Sequence, residues 1–123
     1  MNVYQKYEAI SNYTNNAQEN TVLILKKLLE KLSEIKKDFL AFKFINADAK
    51  IDLVILAVEE LHEMIEDEGL SLEEKKVSEN IKNLYVWIIE RLIELKNIRN
   101  EELITPIEHV VSDLYTGFGG STY

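Results

Sequence analysis

The sequence predicts an all-α fold, an antiparallel up-and-down four-helix bundle with an additional short N-terminal helix or segment, on three observations. Breakers are scarce: there are 4 glycines and 1 proline in 123 residues, and Gly117, Gly119 and Gly120 all lie near the end. Apolar residues recur at steps of three and four along four long segments. Three of those segments open on Asn, Ser or Thr followed three residues later by Glu, a pairing that satisfies two free amides at a helix start.

The first long helix is expected from about Gln18 to Phe44, with Asn16 as cap and Glu19 completing its box. Its stripe is Leu25, Leu28, Leu32, Ile35, Phe39 and Phe42, opposite a face of Lys26, Lys27, Glu30, Lys31, Glu34 and Lys37. A second helix over about Ala47 to Glu68 carries Ile51, Val54, Val58, Leu61 and Ile65, and Gly69 ends it. Ser71 and Glu74 cap a third, running to about Lys96, with Val77, Ile81, Leu84, Ile88, Leu92 and Leu95 inward. The fourth begins near Thr105 as cap, with Pro106 at the first helical position, Glu108 in the box, and Ile107, Val111, Leu114 and Phe118 as its stripe. Near the N-terminus Val3, Tyr7 and Ile10 share one face of a segment too short to be stable unless docked, joined by the polar link Ser11 to Asn20. Short connections make sequential neighbours antiparallel. The whole reads as one domain over 1–118, with 119–123 a flexible tail whose glycines fray the last helix.

Composition narrows the function classes. Hydrophobic residues make up 46% of the chain, enough for a core, which argues against disorder. A net charge of −8 with no basic stripe disfavours nucleic acid, and polar faces without excess Lys and Arg disfavour adsorption to anionic membranes. The absence of cysteine removes disulfides and thiolate chemistry and fits a reducing compartment, with the cytoplasm as the expected location. No apolar run approaches the roughly 20 residues of a membrane span, and Met1 to Ile10 is polar rather than a basic region followed by an apolar one, so no cleavable export signal is expected.

Catalysis has no visible seat. Glu59 and His62 form the Glu-x-x-His pair by which helical bundles hold di-iron, but that site needs a second such pair and two more inward glutamates. The other histidine, His109, has Pro106 three residues before it. No nucleophile elbow and no glycine-rich phosphate loop occur. The acidic run Glu63, Glu66, Asp67, Glu68 reads as a solvated helix end or as steering for a basic partner. The expectation is a non-enzyme without metal or cofactor.

One segment carries more apolar surface than a bundle helix needs. Leu84 to Ile89 reads Leu, Tyr, Val, Trp, Ile, Ile. Either this helix is the most enclosed member of the bundle, or Val86, Ile89 and Ile93, at i, i+3 and i+7, form a second stripe for an apolar helix of another chain. Tyr4 and Tyr7, amphipathic rings on the marginal N-terminal segment, could plug such a groove or form a permanently packed cap.

The stretch Glu79-Asn80-Ile81, Leu84-Tyr85, Trp87, then Arg91-Leu92-Ile93-Glu94 resembles the signature of the FliS-type flagellar secretion chaperones. The opening Asn2-Val3-Tyr4-Gln5-x-Tyr7, the run Thr21 to Leu25, the polar link Asn97 to Leu103 and the late aromatic Phe118 are similar to the family's other blocks, in order and spacing. Three stretches depart from it: Ala17-Gln18 replaces a Ser-Pro turn, Lys26-Lys27-Leu28 replaces an aromatic-Asp-Gly, and Glu90 stands where a second Arg is usual. The resemblance implies a chaperone that binds the disordered C-terminal segment of flagellin and prevents premature polymerisation, with the flagellar export apparatus a further expected partner. It also implies that Tyr4, with Tyr7 second, occupies the client groove until displaced. The candidate partner-binding residues are then Tyr4, Tyr7, Tyr85, Val86, Ile89 and Ile93, on a monomer or weak homodimer. The competing expectation is a bundle scaffold or co-chaperone that binds another flagellar protein or self-associates through the same face.

Overall fold

A computed structural model describes the backbone of residues 15–121 and side chains from Glu19 to Ser121. The described residues form helices α1 (Asn15–Leu40), α2 (Phe44–Glu63), α3 (Leu72–Asn97) and α4 (Ile104–Gly117), with a 3₁₀ turn at Glu101–Leu103 before α4. They contain no strand. α1 packs on both α2 and α4, α2 also packs on α3, and the α3–α4 seam is the least extensive. The core is built from the expected stripes of α1, α2 and α4, with Leu25, Leu32, Ile35, Ile51, Val58, Ile107 and Val111 all fully enclosed. Phe118 closes the core at the end of α4.

The boundaries differ where capping chemistry outweighs apolar spacing. α1 begins at Asn15, so Asn16 lies inside it rather than capping it. It stops at Leu40 because Phe42 adopts a left-handed backbone, φ 59°, that closes the helix. Lys43 N–H donates to Asp38 O and Phe42 N–H to Phe39 O, the paired bonds of a Schellman end. Glycine usually holds that position; for a bulky side chain it costs on the order of 1–2 kcal/mol. Phe42 is therefore not the last member of the α1 stripe but 81% exposed.

α2 starts a turn earlier than expected and ends five residues earlier, at Glu63. Carrying a helix through Glu66, Asp67 and Glu68 would set three carboxylates against the negative end of its dipole. Asp67 instead turns toward α3, Gly69 takes φ 78°, and Leu70 tucks in. α3 has the expected capping box: Glu74 N–H donates to Ser71 Oγ and Ser71 N–H to Glu74 Oε1, both at 3.2 Å. Thr105 is not the cap of α4. The chain has already turned at Asn100, whose Oδ1 accepts from Glu102 N–H, and the 3₁₀ turn feeds directly into the helix. Pro106 still falls in the first turn of α4, where a missing amide is harmless. At the far end Gly119 N–H bonds Thr116 O, Gly120 N–H bonds Tyr115 O, and the Tyr115 hydroxyl donates to Ser121 O.

A candidate partner-binding surface on α3 and α2

The inward face of α3 is Ser78, Ile81, Tyr85, Ile88, Leu92 and Leu95, an unbroken three-four series. Tyr85 is 1% exposed, so as a surface contact it is corrected: its ring is core, and Leu84 moves to the half-buried margin. With that face turned inward, Val86 and Ile93 stay 42% and 49% exposed. Ile89, between them, is half-buried against the core. The structure thus brings three of the expected residues onto one flank, two open and one forming its floor. Tyr4 and Tyr7 lie outside the described residues.

This flank borders α2. Ile89, Ile93 and Lys96 share a face at i, i+4 and i+7, and Lys96 Nζ donates to Asp52 Oδ1 of α2 at 2.7 Å. The bond to Asp52 holds the Lys96 ammonium above the usual lysine range. The opposite flank of α3 carries Trp87 and Arg91, whose guanidinium lies 5.9 Å from the indole centroid and 3.4 Å from Glu94. Further ion pairs hold the helices in register: Lys36 to Glu108 joins α1 and α4, Lys50 to Asp38 joins α2 and α1, and Arg99 to Asp48 joins the end of α3 to α2.

A second apolar surface escaped the sequence reading. Between α1 and α2 lies an open groove of about 160 Å³. Ile24, Leu28, Leu53, Val54 and Ala57 line its floor, with Lys27, Lys31 and Glu60 at the rim. Leu53 belongs to a row on the outer side of α2, Ile45, Ala49, Leu53 and Leu56, three of which are large exposed hydrophobics. Their steps of four, four and three were a readable signal that α2 is apolar on both faces. Grooves of this kind accept amphipathic helices, whose anchors repeat at the same spacing.

The loop after α2 is clamped rather than loose. Asp67 accepts from Ser78 Oγ at 2.8 Å and from Lys82 Nζ, and these bonds pull its carboxyl below the ordinary carboxylate range. Ser78 is fully buried, so this bond also satisfies a hydroxyl that would otherwise be stranded in the core. Asp67 is therefore a structural anchor. Among the described residues no group of three His, Asp or Glu is placed to hold a metal ion. Glu59 is exposed and His62 is half-buried. Among the same residues no helix is long and apolar enough to cross a membrane. What the surface offers chemically is apolar area with charged margins.

A sequence model of the family described as flagellar protein FliS matches residues 1–120. Neither a curated protein nor a solved structure gives a match.

Proposed function

The chain belongs to the FliS family of flagellar proteins, a family of flagellar export chaperones, and from that premise we propose that it binds the C-terminal segment of flagellin in the cytoplasm before export. The observation that carries this reading is the open flank of α3: Val86 and Ile93 stay exposed once the core is complete, with Ile89 as floor between them. A tail that buries apolar heptads in a filament needs an equivalent apolar surface while it waits, and helix-in-groove docking supplies one. The α1–α2 groove offers a second seat of the same kind, which suits a long client that wraps rather than plugs. Tyr4, with Tyr7 as second candidate, is proposed to compete for the client surface.

Calorimetry with a purified flagellin C-terminal peptide tests the reading. Binding should be lost or weakened at least tenfold by Ile93→Glu with the melting temperature nearly unchanged, because an exposed position changes stability by no more than about 0.5 kcal/mol. Absence of heat with the unaltered chain, or full affinity in Ile93→Glu, would discard it.

A further inference from the structure

The α1–α2 groove has a polarity that its apolar floor hides. α1 and α2 are antiparallel across the turn at 41–43, so Ile24 and Glu60 lie toward one end of the groove and Lys31 and Leu53 toward the other. The second end is sealed. Lys50, one turn before Leu53 on α2, meets Asp38 at 2.7 Å and Glu34 at 3.9 Å on α1, and Lys31 meets Glu34 at 3.3 Å. The first end leads toward the start of α1 and the last turn of α2.

Charge divides along the same axis. Residues 59–68 hold six carboxylates and no Lys or Arg, and of the six only Asp67 is in an ion pair among the described residues. At the sealed end the two lysines and two carboxylates cancel. Lys27, exposed on the α1 rim and in no ion pair among the described residues, adds a positive charge that nothing cancels. From Ile24 to Lys31 the groove follows two turns of α1, about 10 Å. The screening length at physiological salt is about 8 Å, so a bound segment meets a different field at each end.

We propose that this groove takes a short amphipathic helix of the client in one polarity, parallel to α1, with its N-terminus toward Glu60 and its C-terminus over Lys27 and Lys31. The polarity rests on the reading of the groove as a client seat. A helix carries roughly half a positive charge at its N-terminus and half a negative charge at its C-terminus. In the proposed polarity the positive end meets Glu60 and the carboxylates beyond it, and the negative end meets the lysines. Reversal makes both meetings repulsive, and the two ends together favour the proposed polarity by roughly tenfold. The groove's volume of about 160 Å³ is close to that of cavities of about 150 Å³ that take benzene, so one side chain of leucine or phenylalanine size is the anchor. Apolar residues a turn to either side of the anchor lie against Ile24 and Leu53.

The chain has no cysteine, so a single nitroxide can be placed at either end of the groove through Asn20→Cys or Asn46→Cys, both at exposed positions. The probe is the isotope-labelled flagellin C-terminal peptide, whose amide signals the nitroxide broadens with a steep dependence on distance. The label at position 20 should broaden the N-terminal side of the groove-bound stretch, and the label at position 46 its C-terminal side. Lys27→Glu combined with Glu60→Lys, two changes at exposed rim positions, should even out or invert that order while the fold is retained. The opposite order in the unaltered groove, equal broadening of both sides by both labels, or an order indifferent to the charge exchange would overturn the polarity. A peptide that binds and shifts Val86 and Ile93 yet is broadened by neither label would overturn it too, and would leave flagellin binding on α3 standing. Absence of any binding would remove both.

Discussion

Helices α1 and α4 end in the same backbone motif with opposite residues. α4 uses Gly119 at φ 100°, and Gly120 then passes so close to Tyr115 that an added Cβ would sit 2.4 Å from the ring. α1 uses Phe42 at φ 59° and leaves its ring in solvent. One end is tidied for stability, and the other accepts strain and displays an aromatic. The contrast extends to the loops, since Asp67 clamps the α2–α3 connection near the tidy end, whereas beside the strained turn Lys37 and Lys43 form no ion pair among the described residues. Strain of this kind persists where surrounding structure over-determines it, and such positions gather at binding surfaces.

Substitutions that break this contrast rank by what they strand. Asp67→Ala leaves the buried Ser78 hydroxyl without its acceptor, and thermal unfolding should show a loss of about 1–3 kcal/mol. Acid sharpens the same point. The Asp67 carboxyl lies lower in the folded chain than its ordinary 3.8, so its contribution is present above that value and is lost as pH falls through the folded one. Urea melts of Asp67→Asn and the unaltered chain should therefore differ at neutral pH and converge on acidification below about 3.8. Gly119→Ala forces a side chain into the left-handed region and should destabilise by about 1 kcal/mol, read as earlier melting and loss of the Tyr115 contact with Ser121. Phe42→Gly should do the reverse, raising stability by up to about 1 kcal/mol, because relief of strain exceeds the exposed edge contact with Phe44. Lys36→Ala, which removes the half-exposed pair with Glu108, should cost roughly 0.5 kcal/mol or less, and less still in high salt.

The same residues show what the sequence could reveal. The stripes of α1, α2 and α4 were legible because three-four spacing with charged residues opposite leaves one way to face a core. α3 was legible as a helix and in most of its inward face, since Ile81, Ile88, Leu92 and Leu95 are buried as expected, but Leu84 and Tyr85 fit that series equally on composition within an apolar run from Leu84 to Ile89. The tie breaks in the longer series Ile81, Tyr85, Ile88, Leu92, Leu95, whose steps alternate four and three without a fault. The end of α1 could not be read because the motif that closes it normally announces itself with glycine. The α1–α2 groove was missed for a different reason: it needs two helices, and Leu53, Val54 and Ala57 of α2 form its wall only when Ile24 and Leu28 of α1 lie beside them.

The central claim is that the client occupies the surplus apolar surface of the bundle's helices and leaves both its core and its aromatic end alone. Methyl NMR on the full chain, titrated with the flagellin C-terminal peptide, tests that most directly. The account predicts that the methyl signals of Val86, Ile89 and Ile93 shift first and furthest, those of Leu53 and Leu56 follow, and those of Leu40 and Ile98 hold still. Shifts confined to Leu40 and Ile98, with the α3 flank unmoved, would contradict it.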